Sequence, residues 1–369
     1  MYGEHRRPEI SPFHALASRY QERQMPISAP DLQYLGKVSL DAYMRKSVVD
    51  QIGVEKPFLK KLMQKKKILL GAKQNVIVNV RKSHDENFAW AYGETAVGFN
   101  KRQTTDQAAF PWRRAVDGFY ITHDTLFGAG IKVREGERGQ FKLEQAEEVQ
   151  LLNLMDEQMD AFREGFEKKL NIELLRNGSA SADAVTGLDG LITTAPATGT
   201  VGGIDRATAA YWRNNAATAL ASADLLDAME AQWRNCIRHG GSPDFILAGS
   251  AFIDAYRKTL TVTHNADAGA IKRIDGGVGS GVNTGLYFKG VEIIWDPNFE
   301  TLDALDTPVI PWEKRCYFLN TRHIDLRDDD MDIVSPTRPH NVLAVYHMIN
   351  LRVALVLKRA NAHSVLAIA

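Results

Sequence analysis

Residues 140–177 read QFKLEQAEEVQLLNLMDEQMDAFREGFEKKLNIELLRN, and the spacing of their apolar side chains decides how the rest of the chain is arranged. Leu151, Met155, Met159, Phe162, Phe166, Leu170 and Leu174 recur at steps of three and four, which sets them on one stripe of an α-helix. Glu147, Asp156, Glu157, Asp160, Glu164, Lys168 and Lys169 fall mostly on the rest of the cylinder. Asn177-Gly178 supplies the C-terminal stop, and Gly165 weakens the helix from within. At 1.5 Å of rise per residue the segment would run about 50 Å. Such a helix is a spine and not a satellite.

Upstream lies an extended arm, residues 73–127, which reads as a ribbon going out through Val76, Val78 and Val80 and returning through Phe119 and Ile121. Between them Gly98 to Gln107 is too polar to seed a core. A two-stranded ribbon is marginal alone in water, so this one is expected to lie on something else. A chain that exports an apolar ribbon reads as a building block more than as a self-contained catalyst. Residues 1–40 carry Pro8, Pro12, Pro26 and Pro30 among polar residues and read as an extended arm. Residues 41–67 read as helical and increasingly basic, through Lys56, Lys60, Lys61, Lys65, Lys66 and Lys67. Two readings stand there: a solvated helix face, or an inner basic face that touches nucleic acid or an acidic partner.

Downstream, residues 178–203 read as loops around Leu188 to Ile192. A second amphipathic helix follows over 222–239 (Leu225, Leu226, Met229, Trp233, Ile237), then a short buried strand, Pro243 to Leu247, and a helix, Ala251 to Leu260. This alternation predicts a compact α/β unit over about 186–310, containing a glycine-rich loop with Gly277, Gly279 and Gly281. Residues 314–369 return to strand-like runs, Cys316 to Leu319, Val342 to Tyr346 and Leu351 to Leu357. The apolar end, Ser364 to Ala369, reads as a docked strand.

Composition excludes several classes of protein. Lys plus Arg (45) equals Asp plus Glu (45), which argues against a chain whose main task is coating nucleic acid. Cys236 and Cys316 stand outside any ligand spacing and read as reduced thiols. No run approaches a membrane span, the first residues do not read as a signal peptide, and no membrane partner is expected. The glycine loop lacks the dinucleotide spacing, and neither a G-x-x-x-x-G-K-[ST] nor a G-x-S-x-G motif occurs. Asp328, Asp329, Asp330 and Asp332 lack the glycine and terminal glutamate of a calcium hand and read as a solvated acidic turn. His323 with Asp325, or His340 with His347, give two ligands at loose spacing. No catalytic residue, cofactor or metal is expected.

Several segments, in order and covering about 75–369, resemble the major capsid proteins of tailed bacteriophages, whose Johnson fold is shared with encapsulin shells. They are Ile121 to Leu126 with Ala129 to Val133, Gly187 to Ile192, Gly202 to Arg206, Tyr211 to Asn214, Pro243 to Ser250, Phe288 to Val291, Trp295 to Pro297 and Cys316 to Asn320. The resemblance implies an α+β fold with an N-terminal arm (1–40), a basic helical segment (41–72) and an extended β-hairpin loop (73–127). A peripheral domain (128–185, with 311–369 returning to it) would hold the spine helix, and an axial α/β domain would span 186–310. It implies a non-enzymatic structural protein that self-assembles as pentamers and hexamers into an icosahedral virion head, built in the host bacterial cytoplasm. Partners would be other copies, packaged double-stranded DNA bound non-specifically, a portal, a scaffold and a cement protein. Phe99, Lys101, Arg102, Phe110, Trp112 and Arg113 become the expected inter-subunit loop contacts, and Gly277, Gly279 and Gly281 the loop near the ring axis. No lysine-to-asparagine crosslinking triad is matched, so assembly is expected to be non-covalent. An encapsulin-like compartment and a soluble α/β enzyme are the alternatives.

Overall fold

The computed structural model describes residues 53–68, 74–84, 88, 90, 92–94, 98–99, 101–122, 124, 134–135, 141–142, 145–238, 240–264, 283–329, 332–337 and 344–369, with side chains omitted for some of these. The chain divides into two compact units. One comprises Met1–Val49, Tyr120–Asp160 and Arg338–Val345, the other Asp50–Phe119, Ala161–Thr337 and Tyr346–Ala369.

Helix α1 (Pro57–Met63) opens with a proline at its first position, where the missing N–H forfeits no hydrogen bond. The expected helix over 41–67 is therefore shorter at its C-terminal end, while 41–52 lie outside the described residues. Its basic tail turns into β1 (Lys67–Ile68), because residues 327–328 offer it a parallel ladder. β2 (Asn75–Arg81) and β3 (Thr105–Pro111) form an antiparallel ribbon in register from Asn75↔Pro111 to Arg81↔Thr105. The return strand is thus 105–111 and not the segment of Phe119 and Ile121, which belongs to β4 (Arg113–Thr122). β5 (Arg134–Glu135) and β6 (Phe141–Lys142) make a short ladder, and this delays the start of the long helix, α2 (Gln145–Leu175). Its 31 residues span about 46 Å, and Gly178 at φ +85° ends it as expected.

Beyond α2 come a single turn, α3 (Leu188–Leu191), then β7 (Thr200–Val201), β8 (Ile204–Asp205) and β9 (Asn215–Leu220). Next are α4 (Leu225–Arg238), β10 (Phe245–Ala248), α5 (Ser250–His264), β11 (Asn283–Phe288), β12 (Val291–Trp295) and α6 (Asn298–Asp306). The chain ends with β13 (Arg315–Leu319), β14 (Ile324–Asp328), β15 (Asp332–Thr337), β16 (Ala344–Leu357) and β17 (Ser364–Ile368).

A mixed six-stranded sheet runs β11-β12-β10-β13-β17-β9. Its central strands are buried on both faces, which is why they read as unbroken apolar runs. Ile246, Ala248, Cys316, Phe318 and Leu366 join one core cluster with Met229 and Trp233 of α4 and Phe252 and Tyr256 of α5. Phe245, Leu247, Tyr317, Leu319 and Val365 face the other cluster, with Leu188, Leu191, Phe299 and Trp312. The C-terminal run is a docked strand, but it lies inside this sheet between β13 and β9. The sheet therefore draws β13 and β17 from the segment expected to return to the spine's domain. Both cysteines are buried and free.

A second sheet runs β1-β14-β16-β15, with β4 also on β16. The two runs expected at 342–346 and 351–357 are one continuous strand, β16. The polar residues between them mimic a break, yet His347 is an inward-facing core residue stacked on Phe119, with ring centroids 5.0 Å apart.

Candidate assembly surface

The ribbon β2–β3 has a rooted end and an exposed end. At the root Val76, Ala108 and Phe110 are buried, on alternate positions that face the β7–β8 hairpin. The Ala109 N–H donates to the Gly202 carbonyl at 2.8 Å. Gly202 has φ +60°, and a Cβ there would lie 3.0 Å from the Ala108 Cβ and 3.2 Å from Phe110 Cζ, so any other residue would strain the backbone and crowd the ribbon. The Tyr211 hydroxyl donates to Asp106 Oδ2 at 2.7 Å. That bond holds the Asp106 carboxyl below its ordinary value, while burial first, and then the same bond, push Tyr211 up to about 12.

The platform beneath is braced from inside. Trp212, which is buried, donates its indole N–H to the Val201 carbonyl at 3.1 Å, and Arg213 donates to the Arg206 and Ala207 carbonyls. The Arg206 guanidinium caps α3 by donating to the Leu191 carbonyl, and burial pulls its pKa down to about 10.

At the other end of the ribbon four aromatic side chains stand in solvent: Phe88 (76% exposed), Trp90 (90%), Tyr92 (97%) and Phe99 (92%). Phe88 and Trp90 meet edge to face at 5.2 Å. Burying each such side chain is worth about 1.5–3 kcal/mol, so leaving four in water forgoes on the order of 6–12 kcal/mol. That is comparable to the stability of a whole domain. Exposed apolar groups carried on one loop, two of them in contact, mark a contact surface, whereas scattered single ones do not.

Of the expected loop residues, Phe99, Lys101 and Arg102 are exposed. Phe110 is a core residue of this chain, only 3% exposed. Trp112 is half-buried, and Arg113 is half-buried 3.5 Å from Asp183 Oδ1. Sequence reading missed Phe88, Trp90 and Tyr92, although Phe88-Ala89-Trp90-Ala91-Tyr92 alternates with the period of an extended chain.

On α2, Phe166 and Leu170 are buried and Met159 and Phe162 half-buried, while the side chains of Leu151 and Met155 lie outside the described residues. Gly277, Gly279 and Gly281 also lie outside them. The basic run is neither wholly solvated nor a free cationic face. Lys60 is exposed, but the Lys61 ammonium sits 5.6 Å from the Phe245 ring centroid, Lys65 pairs with Asp244 at 3.1 Å and Lys66 with Asp328 at 3.1 Å. Lys67 contributes backbone pairing in β1.

Of the acidic run, Asp328 is not solvated, Asp329 is exposed, and Asp330 and the Asp332 side chain lie outside the described residues. Asp328 is 2% exposed and ion-paired, and Asp329 lies 3.9 Å from Arg352. No metal-holding group of three or more acidic, His or Cys residues occurs among the described residues. His347 is buried, which lowers its pKa; His323 is lowered first by burial and then by Arg359, Lys358 and Arg322; His340 lies outside the described residues. An open groove of about 770 Å³ lies between α1 and α2, but its lining carries no His, Cys, Ser or Thr, and its Glu164 and Glu167 both pair with Lys56. No helix among the described residues is long and apolar enough to cross a membrane.

No protein-family model matches the chain, and no curated protein matches it. Solved structures do. The cyanophage A-1(L) capsid asymmetric unit is similar at 16% identity over 87% of this chain and 94% of that one, with a TM-score of 0.56. The capsid of Myoviridae phage XM1 is similar at 13% identity over 88% and 95%, with a TM-score of 0.53. The capsid of a native GTA particle gives 14% identity over 89% and 96%, with a TM-score of 0.51. The likeness spans nearly the full length of each chain, and it shows the fold: this is an α+β chain with the fold of phage capsid subunits.

Proposed function

We propose that the chain is the subunit of a phage head shell, a non-enzymatic protein whose copies close into pentamers and hexamers and then into an icosahedral capsid around double-stranded DNA. The observation that carries this reading is the aromatic tip, Phe88, Trp90, Tyr92 and Phe99, held in water by a braced ribbon on a fold that capsids use. A second copy is the partner such a tip fits, because closed rings and shells repeat one contact many times. In this reading the residues before 41 form an arm and 73–127 the loop that overlaps a neighbour. The spine helix organises a peripheral domain, and 186–310 faces the ring axis with Gly277, Gly279 and Gly281. DNA is held non-specifically, and portal, scaffold and cement proteins are separate partners. Assembly is non-covalent, so boiled shells run as single subunits on a denaturing gel.

The test is size-exclusion chromatography with negative-stain electron microscopy on the full chain and on a Phe88→Ala/Trp90→Ala/Tyr92→Ala variant. Shells, rings or tubes from the parent, with a folded small species from the variant, are expected. A parent that stays small at every concentration, with scaffold or crowding supplied, overturns the reading. Nucleic acid in the purified shells identifies a head; a cargo protein in its place identifies a cellular compartment.

A further inference from the structure

Where β12 runs into α6, Trp295-Asp296-Pro297-Asn298 buries a carboxyl beside a primary amide. Asp296 and Asn298 are both 0% exposed. Asp296 Oδ1 accepts twice, from the Asn298 main-chain N–H at 3.0 Å and from its Nδ2 at 2.8 Å. Asn298 Nδ2 also donates, at 3.0 Å, to the main-chain carbonyl of Glu55, on the segment that leads into α1. The other two oxygens, Asp296 Oδ2 and Asn298 Oδ1, are sealed from solvent and make no hydrogen bond among the described residues.

An ionised carboxyl brings only acceptors to this place, and a buried orphan acceptor costs about 1–3 kcal/mol, more if charged. A proton on Oδ2 supplies the missing donor. A carboxylic acid and a primary amide set side by side then pair through N–H···O and O–H···O together. Among the described residues no charged side chain offsets the ion. On the segment before α1, the Glu55 side chain is exposed and Lys56 is turned to Glu164 and Glu167. On α6, Glu300 is exposed and Asp303 accepts from the Trp312 and Glu313 N–H groups. β12 carries Glu292 at its far end, β10 has no charged residue, and Arg315 of β13 is turned to Asp189 and the Ile310 carbonyl.

We propose that Asp296 is a proton-operated latch on the segment that leads into α1. Neutral, it pairs with Asn298 and keeps that amide on Glu55. Ionised, it is a buried charge relieved by admitting water at Oδ2, and that water competes with Asn298 for the Glu55 carbonyl. Burial pushes the Asp296 carboxyl up to about 6 against the opposing bonds from Asn298. The folded value lies above the ordinary 3.8, so the latch is fully closed below that value and its contribution is lost as pH rises through 6.

Hydrogen exchange with mass spectrometry on the full chain reads this directly, at about one pH unit below and above 6, corrected for intrinsic exchange rates. Peptides covering 53–63 are expected to lose about tenfold in protection across that step. Asp296→Asn, neutral and able to donate to Asn298, keeps them protected at both pH values; Asn298→Ala leaves them unprotected at both. An identical pH response in parent and Asp296→Asn, or an Asp296→Asn chain unprotected throughout, overturns the proposal. Should Asp296→Asn fail to fold, infrared titration of the parent decides. A protonated carboxyl band that persists to about pH 6 supports the latch, and its disappearance in the ordinary carboxylate range sinks it.

Discussion

Gly187 lies where an added Cβ would sit 2.3 Å from the Arg176 carbonyl oxygen and 2.4 Å from that of Leu174. Its neighbour in the same Gly-Leu-Asp-Gly-Leu stretch, Gly190, would meet the Asn177 carbonyl at 2.8 Å. These glycines let α3 close against the end of α2; around Gly187 the obstacles are backbone that cannot move aside, and around Gly190 they are backbone together with the Thr186 methyl. The stretch was legible as a resemblance; its physical reason, close approach and not turn conformation, needed the structure, because Gly187 is extended at φ −87°. Gly165 is the opposite case: it is exposed in mid-helix with nothing within 4 Å of an added Cβ. Gly187→Ala is therefore expected to cost about 3 kcal/mol or more, because overpacking against fixed backbone has no soft escape. Gly165→Ala should gain about 0.5–1 kcal/mol from helix propensity alone. Midpoints of chemical unfolding of the full chain check both signs; equal shifts for the two substitutions would contradict the steric account.

The ribbon shows which elements a sequence can yield and which it cannot. Strands buried on both faces, such as Phe245–Ala248 and Arg315–Leu319, announce themselves as apolar runs. The partner of β2 did not, because 105–111 and 113–122 are both extended and the choice between them is made by Gly202 and Tyr211, about a hundred residues away. A long-range contact of that kind leaves no local pattern. At this scale Tyr211→Phe is the informative change. Asp106 is held below its ordinary pKa chiefly by the Tyr211 hydroxyl, so the bond contributes at neutral pH and fades as the carboxyl protonates on acidification. Losing it should loosen the ribbon by about 0.5–1.5 kcal/mol at neutral pH and by less in acid. Hydrogen exchange in 75–81 and 105–111 measures this; a loosening as large in acid as at neutral pH would show that the lost hydroxyl acts through packing instead.

Across the whole molecule, positive and negative residues balance at 45 each, so no long-range repulsion opposes the association of copies. The proposed contact nevertheless joins two different forces. The tip presents Phe88, Trp90, Tyr92 and Phe99, while the neck of the ribbon exposes Arg81, Lys101 and Arg102. Apolar burial sets how far assembly proceeds, because it is insensitive to screening; exposed cations set how fast copies meet. The sequence displayed both sets of residues but not their separation, since nothing local says that the lysine run at 60–66 is largely committed to its own chain while Lys101 and Arg102 remain outward. Raising salt to about 0.5 M shortens the screening length to roughly 4–5 Å and should slow assembly severalfold without lowering its final extent. Lys101→Gln with Arg102→Gln should reproduce that slowing at low salt, whereas Trp90→Ala should lower the extent and leave the salt response of the rate intact. Time-resolved light scattering separates the two quantities. A plateau that collapses with salt while Trp90→Ala assembles fully would mean that charge, and not the aromatic tip, holds the copies together.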